Sequence, residues 1–178
     1  MARFLCVFLA TALMSGPALA QPLEQGTPMT LTAPAAVLIE RGGSVIFEKN
    51  GDTRRPVASI TKLMTILLAL EKIESGDIAM TDRVTVSMNA AATSGSEVFL
   101  DAHNQYTVQD LLRSTIISSG NDSAVALAEY IGGTEEGFVR LMNERAAEMG
   151  LTNTQYKNCT GLPAEGQYTS ALDVAKLS

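Results

Sequence analysis

Residues 59–74 constrain this chain more than any other stretch. Ile60, Leu63, Met64, Ile66, Leu67, Leu68, Leu70 and Ile73 crowd that span and leave little polar face. The spacing predicts one long helix, and a helix apolar on most sides is expected to be central and buried. Ser75-Gly76-Asp77 supplies its stop. At its entry, after a proline-led loop, stands Ser59-Ile-Thr-Lys62.

Positions i and i+3 of a helix share a face one turn apart. Ser59 in the first turn sits near the positive end of the helix, which favours developing negative charge. Its amide is one of the unpaired donors there and can point at an oxyanion. Burial against an apolar face pushes a lysine toward its neutral form, which can accept a proton. A neutral amine within reach of a hydroxyl is a workable base. The plainer reading is that Ser59 caps the helix and Lys62 is an ordinary helix residue. At ordinary residue frequencies a Ser-x-x-Lys match arises by chance in roughly half of chains this long. The pair alone leaves both readings open.

The first twenty residues read separately. Arg3 precedes a short apolar run, Phe4 to Met14, and Ala18-Leu-Ala20 is a small-x-small cleavage pattern. This is a secretory signal peptide in form, too short in its apolar run to span a membrane comfortably. Export to the periplasm is the expected localisation. Residues 21–34 read as an extended leader, and 35–178 as the folded domain. The formal charge of -6 argues against a polyanion-binding surface, so nucleic acid is set aside as a partner. Removing residues 1–20 takes Cys6 away and leaves Cys159 alone, as a small buried residue.

Two β-rich runs, 35–41 and 44–49, flank Gly42-Gly43 and predict a hairpin. Residues 82–87 alternate as a short strand, and 90–96 read as a surface loop. Thr107-Val-Gln-Asp110 has the form of a capping box and opens a helix to about Ser118. Ser119-Gly-Asn-Asp122 interrupts it, and a second short helix covers 123–131. Thr134 caps a third, 135–149, which Gly150 stops. Residues 151–166 are mostly loop, and Ser170 starts a last helix with no stop signal before Ser178.

The one histidine, His103, lies in a polar loop and reads as a surface residue. One histidine and one remaining cysteine support a zinc site poorly, and no phosphate-binding glycine loop appears. Neither a metal nor an organic cofactor is expected. That leaves serine activated by lysine. A second element is needed across a cleft, and Ser119-Gly-Asn121 falls in a break between helices where a hydroxyl and an amide can aim at a ligand. The alternative is a helix–helix turn whose polar side chains satisfy local backbone groups. A rival match, Ser87-Met-Asn89, follows a strand.

Together these residues resemble the serine D-alanyl-D-alanine carboxypeptidases, the low-molecular-mass penicillin-binding proteins, which share a fold with serine β-lactamases. Ser59-Ile-Thr-Lys62 matches the family's Ser-x-x-Lys and Ser119-Gly-Asn121 its Ser-x-Asn. Residues 117–130, 138–143, 150–154, Gly161-Leu162 and 165–175 are similar as well. The resemblance implies an α/β fold of α+β type, the penicillin-binding protein transpeptidase fold, with the serine between a helical subdomain and an antiparallel sheet. It implies Ser59 as acylated nucleophile, Lys62 as general base, Ser119 as aid to proton transfer and Asn121 as the residue positioning the substrate amide. The implied reaction removes the terminal D-alanine of peptidoglycan stem pentapeptides through an acyl-enzyme. β-Lactam antibiotics would acylate the same serine.

The family's third motif, Lys-Thr/Ser-Gly on a strand, is absent from these 178 residues. With it go a second oxyanion donor and later sheet strands; one such donor is worth about 100- to 1,000-fold in rate. The chain is therefore expected to be a fragment with little activity of its own, its apolar helix partly uncovered. The family's C-terminal amphipathic anchor, which implies inner-membrane association, is out of view as well. Three alternatives share the motifs. A class A β-lactamase would show Ser-Asp-Asn and a deacylating Glu, for which Glu165 is the candidate. A D,D-endopeptidase would act on cross-links. A wall-binding or β-lactam-sensing module would keep the fold without catalysis.

Overall fold

Gly42-Gly43 closes the expected hairpin. β1 (Ala36–Ile39) pairs antiparallel with β2 (Val45–Lys49), Leu38 facing Phe47, with a register shift at Ile39. The computed structural model describes residues 31–178, of which Ala33–Ser178 form one unit. The expected signal peptide, residues 1–20, and the expected leader as far as residue 30 lie outside the described residues.

The apolar helix differs from its sequence reading in two ways. Ser59–Thr61 form a single 3-10 turn, and α1 proper runs Lys62–Glu74. Thr61 N donates to the Ala58 carbonyl at 3.0 Å, the three-residue spacing of the tighter coil. The helix is also not buried all round. Lys62, Met64, Thr65, Leu68 and Ala69 face inward, whereas Ile60, Leu63 and Leu70 are exposed. Apolarity on most sides, taken alone, predicts full cover; the described residues cover one side, in line with the partly uncovered helix expected from the family resemblance.

A second two-stranded ladder pairs β3 (Arg83–Thr85) with β4 (Gln105–Thr107), Arg83 opposite Thr107. β4 was not expected. The stretch read as a loop from residue 90 begins within a short helix, α2 (Met88–Ala91), because the Ser87 hydroxyl accepts from Ala90 N at 2.9 Å. Ser87 is thus a cap.

Caps set the remaining helices. α3 (Val108–Ile117) opens with the reciprocal box: Thr107 Oγ1 accepts from Asp110 N at 3.1 Å, and the Asp110 carboxylate accepts from Thr107 N at 3.3 Å. α4 runs Asn121–Gly132, two residues earlier than expected. In α5 (Glu135–Glu148) Thr134 Oγ1 accepts from Gly137 N at 2.9 Å. In α6 (Ala171–Leu177) Ser170 accepts from Asp173 N at 3.2 Å.

α4 is the centre of the packing. Asn121 to Ala128 are all buried, with Leu127 against a core that includes Met64, Leu68, Leu111, Phe138 and Met142. The loop from Leu151 to Thr169 folds back across the entry to α1. Arg55 and Thr169 exchange backbone bonds of 2.8 and 3.0 Å, and Gln155 pairs likewise with Tyr168. Buried Asp173 pins that loop from α6, accepting from Asn153 N at 2.7 Å and Thr154 Oγ1 at 2.8 Å. Among the described residues no helix is long and apolar enough to cross a membrane.

Candidate active site

The 3-10 turn puts Ser59 and Lys62 where i and i+3 eclipse one another. Lys62 Nζ lies 3.2 Å from Ser59 Oγ. The two differ sharply in environment: Ser59 is exposed, while Lys62 is 2% exposed. Nζ also donates to the Thr160 carbonyl at 2.9 Å. Burial pushes the Lys62 amine below its ordinary value, and the opposing pull of the Cys159 sulfur is the smaller effect. Among the described residues no carboxylate lies within ion-pair distance of Lys62. A lysine with a carbonyl and a hydroxyl for neighbours is poorly compensated as a cation. It is suited to accept the Ser59 proton.

The loop that carries Thr160 is held tightly against α1. Thr65 Oγ1 donates to the Cys159 carbonyl at 2.7 Å. Gly161 has φ +88°, and a Cβ there would meet the Ala58 carbonyl oxygen at 1.9 Å, so only glycine lets the loop approach the Ser59 turn this closely. Cys159 is buried, and its sulfur and amide both reach Glu135 Oε1, at 3.3 and 3.2 Å. Burial first, and Glu135 second, push the thiol well above its usual range. Both effects favour the protonated thiol, which weakens its pull on the amine.

Ser119 and Asn121 sit where the chain passes from α3 to α4. Ser119 adopts φ +56°, a left-handed conformation uncommon for a residue with a side chain, and its buried Oγ has no hydrogen-bond partner. Asn121 is buried; Nδ2 donates to the Ser94 carbonyl at 2.7 Å and its backbone N to the Ser96 carbonyl at 2.6 Å. No hydrogen bond joins either residue to Ser59 or Lys62. Packing links the two motifs instead. A Cβ at Gly95 would fall 2.7 Å from Asn121 Nδ2 and 3.7 Å from Leu162 Cδ2, and Leu162 follows the Gly161 that abuts Ala58.

Sequence reasoning missed one organiser of this wall. The buried Asp122 carboxylate accepts from Val98 N and Leu100 N, both at 3.0 Å, and from Ser123 N at 2.8 Å. It staples the 94–100 loop over the start of α4. An aspartate in a helix's first turn after Gly-Asn was the available signal. Ser87 and Asn89 of the rival match serve elsewhere: Ser87 caps α2, and Asn89 Nδ2 donates to Glu129 at 2.9 Å. His103 is exposed in the turn before β4.

A helical body with small antiparallel ladders, with an exposed serine over a buried lysine at the entry of a central helix, has the fold of the penicillin-binding proteins. The family pattern for D-alanyl-D-alanine carboxypeptidases, peptidase family S11, matches residues 21–178, and the chain belongs to that family. The D-alanyl-D-alanine carboxypeptidase DacF of Bacillus subtilis is 49% identical over 144 residues, 80% of this chain and 37% of that protein. DacC of Escherichia coli is 38% identical over 181 residues, 98% of this chain and 44% of that protein. The crystal structure of DacD from Francisella tularensis superposes with a TM-score of 0.84 at 40% identity, covering 93% of this chain and 41% of that one. The chain thus spans less than half the length of these relatives.

Proposed function

We propose that the protein acts as a serine-type D-alanyl-D-alanine carboxypeptidase on peptidoglycan stem pentapeptides, with β-lactams as covalent inhibitors. The observation that carries this is the 3.2 Å approach of a buried, carbonyl-anchored Lys62 amine to an exposed Ser59 hydroxyl.

In this reading Ser59 Oγ attacks the carbonyl carbon of the penultimate D-alanine while its proton passes to neutral Lys62 Nζ. The Oγ–C ester bond forms and the C–N bond to the terminal D-alanine breaks. The proton on Nζ goes to the leaving amine, with the unpartnered Ser119 hydroxyl as relay. Water then hydrolyses the ester and restores Oγ–H. The Ser59 amide, at the head of its turn, is placed to stabilise the oxyanion. Asn121 would position the substrate amide through Oδ1, since Nδ2 is held by Ser94. Arg3, the apolar run to Met14 and Ala18-Leu-Ala20 support export, with the periplasm as the working compartment.

The test labels the complete natural protein with a fluorescent penicillin and maps the adduct by mass spectrometry. The adduct is expected on the tryptic peptide bearing residue 59 and is expected to vanish in Ser59→Ala. An adduct on another peptide overturns the assignment. Release of D-alanine from a pentapeptide, against cleavage of a cross-linked dimer, separates carboxypeptidase from endopeptidase.

A further inference from the structure

We propose that Asn158 and Gln167 are positioning residues for the Lys62 amine: their paired amides fix the turn that presents the Thr160 carbonyl to Nζ. The inference rests on the reading of Ser59 and Lys62 as nucleophile and base.

Residues 157–162 have no regular secondary structure, so side chains must hold their backbone. Asn158 Oδ1 accepts from Gly161 N at 2.7 Å and Thr160 N at 3.3 Å, and its Nδ2 donates to the Leu162 carbonyl at 2.8 Å. Gln167 closes the loop from its far end. Its Oε1 accepts from Lys157 N at 2.9 Å and Asn158 N at 3.1 Å, and Nε2 donates to the same Leu162 carbonyl at 3.1 Å. Gln167 is 7% exposed, which makes this a built interior contact. Every backbone amide from Lys157 to Gly161 except that of Cys159 is thereby taken by one of the two amides, and Cys159 N goes to Glu135.

What this achieves lies at Thr160. A neutral amine has two N–H bonds and one lone pair. Committing one N–H to the Thr160 carbonyl at 2.9 Å anchors Nζ within 3.2 Å of Ser59 Oγ and leaves the lone pair free to take the hydroxyl proton. The groups facing Lys62 are the Ser59 hydroxyl, the Thr160 carbonyl and the Cys159 thiol, with Glu135 behind the thiol. None is a carboxylate in direct contact, so burial is what weakens the amine's hold on a proton. If the turn loosens, water reaches Nζ and favours the cation. Base strength at neutral pH then depends on two amides that never touch the substrate.

The experiment measures the rate of acylation by fluorescent penicillin, in the complete natural protein, between about pH 5 and 10. Asn158→Ala and Gln167→Met are compared with the parent, and Thr107→Ala serves as a variant weakened at a distant cap. For the two loop variants the acid limb is expected to move up by about one pH unit. Acylation below the limb then falls about tenfold and approaches the parent's rate at alkaline pH. Thr107→Ala is expected to lose stability with the limb unmoved. If Asn158→Ala does not accumulate, Gln167→Met carries the same expectation. A profile of unchanged shape, merely lowered at every pH or not lowered at all, overturns the proposal. Failure of the parent to label at Ser59 defeats the nucleophile reading itself, and this proposal with it.

Discussion

α4 and α1 are about equally apolar, yet α4 buries every side chain from Asn121 to Ala128 while α1 leaves Leu63 and Leu70 exposed. The difference is in what surrounds them. α4 is packed by α1, α2, α3 and α5, whereas α1 meets its neighbours along one side. Apolarity in a sequence states how much surface a helix must hide; it does not say which partner hides it. Both helices serve the candidate site, α4 by holding the Ser119–Asn121 wall from a filled core, α1 by holding Lys62 on its one buried face.

The contrast can be tested by substitution. Leu127→Ala opens a cavity in the packed helix and is expected to cost about 2–5 kcal/mol, read as a lowered midpoint in chemical denaturation. A loss under about 1 kcal/mol would mean that the core around α4 is looser than its burial implies. Gly161→Ala attacks the seam between the loop and the Ser59 turn. A side chain in left-handed backbone, with its Cβ driven into the Ala58 carbonyl, is expected to cost about 2–4 kcal/mol and to slow penicillin acylation as Thr160 is displaced. Acylation at the parent's rate would show that the loop does not set the Lys62 position.

Alkaline pH probes the packed side by titration. Buried Tyr156 has its phenol pushed up to about 12 by desolvation, with the Asp173 charge adding to it. The folded state then holds a proton that the unfolded state releases near pH 10. From this group stability is expected to fall from about pH 10 upward through pH 12, by about 2–3 kcal/mol, and the buried Cys159 thiol, also pushed up, adds a fall of the same sign. Lys62 acts with the opposite sign below its ordinary value of 10.5, because its folded form is the weaker proton binder and stability there rises with pH. Tyr156→Phe is expected to flatten the alkaline fall and leave the Lys62 contribution; an unchanged fall would assign it to another group. The smallest effect is expected on the bare face of α1. Leu70→Ala should change stability by about 0.5 kcal/mol or less, and a loss several times larger would reveal a partner covering that stripe.

Sequence showed those parts of this molecule that local chemistry decides. The Thr107–Asp110 box, the Thr134 and Ser170 caps, Gly150 after α5 and the Gly42-Gly43 turn each act within a few residues, and each appears where the sequence puts it. The Ser59–Lys62 pair was legible for the same reason: one turn of backbone sets it. β4 was not, because Gln105-Tyr-Thr107 is too short to alternate and runs straight into a cap. α2 was read past because its small residues resemble a loop once the Ser87 cap is overlooked. The Thr160 contact had no signature at all, since any residue supplies a carbonyl; only Asn158 and Gly161, which shape the turn, carry information. The cover on α1 could not be read from its apolarity alone, because burial is a property of two surfaces; the expectation of a partly uncovered helix, which rested on the family resemblance, agrees with exposed Leu63 and Leu70.

The tight coil at Ser59–Thr61 makes the geometry of the pair depend on winding. Three residues of 3-10 helix complete about one full rotation, whereas three residues of α-helix fall about 60° short of it. Were the regular spiral of α1 to creep backward through Thr61 and Ile60, the hydroxyl would swing around the axis and out of line with the amine. Chemistry would be lost with no side chain altered. A single loop of chain thus works like the tuning peg of a string: its pitch, held by the Gly161 abutment, decides whether two otherwise ordinary residues sound together.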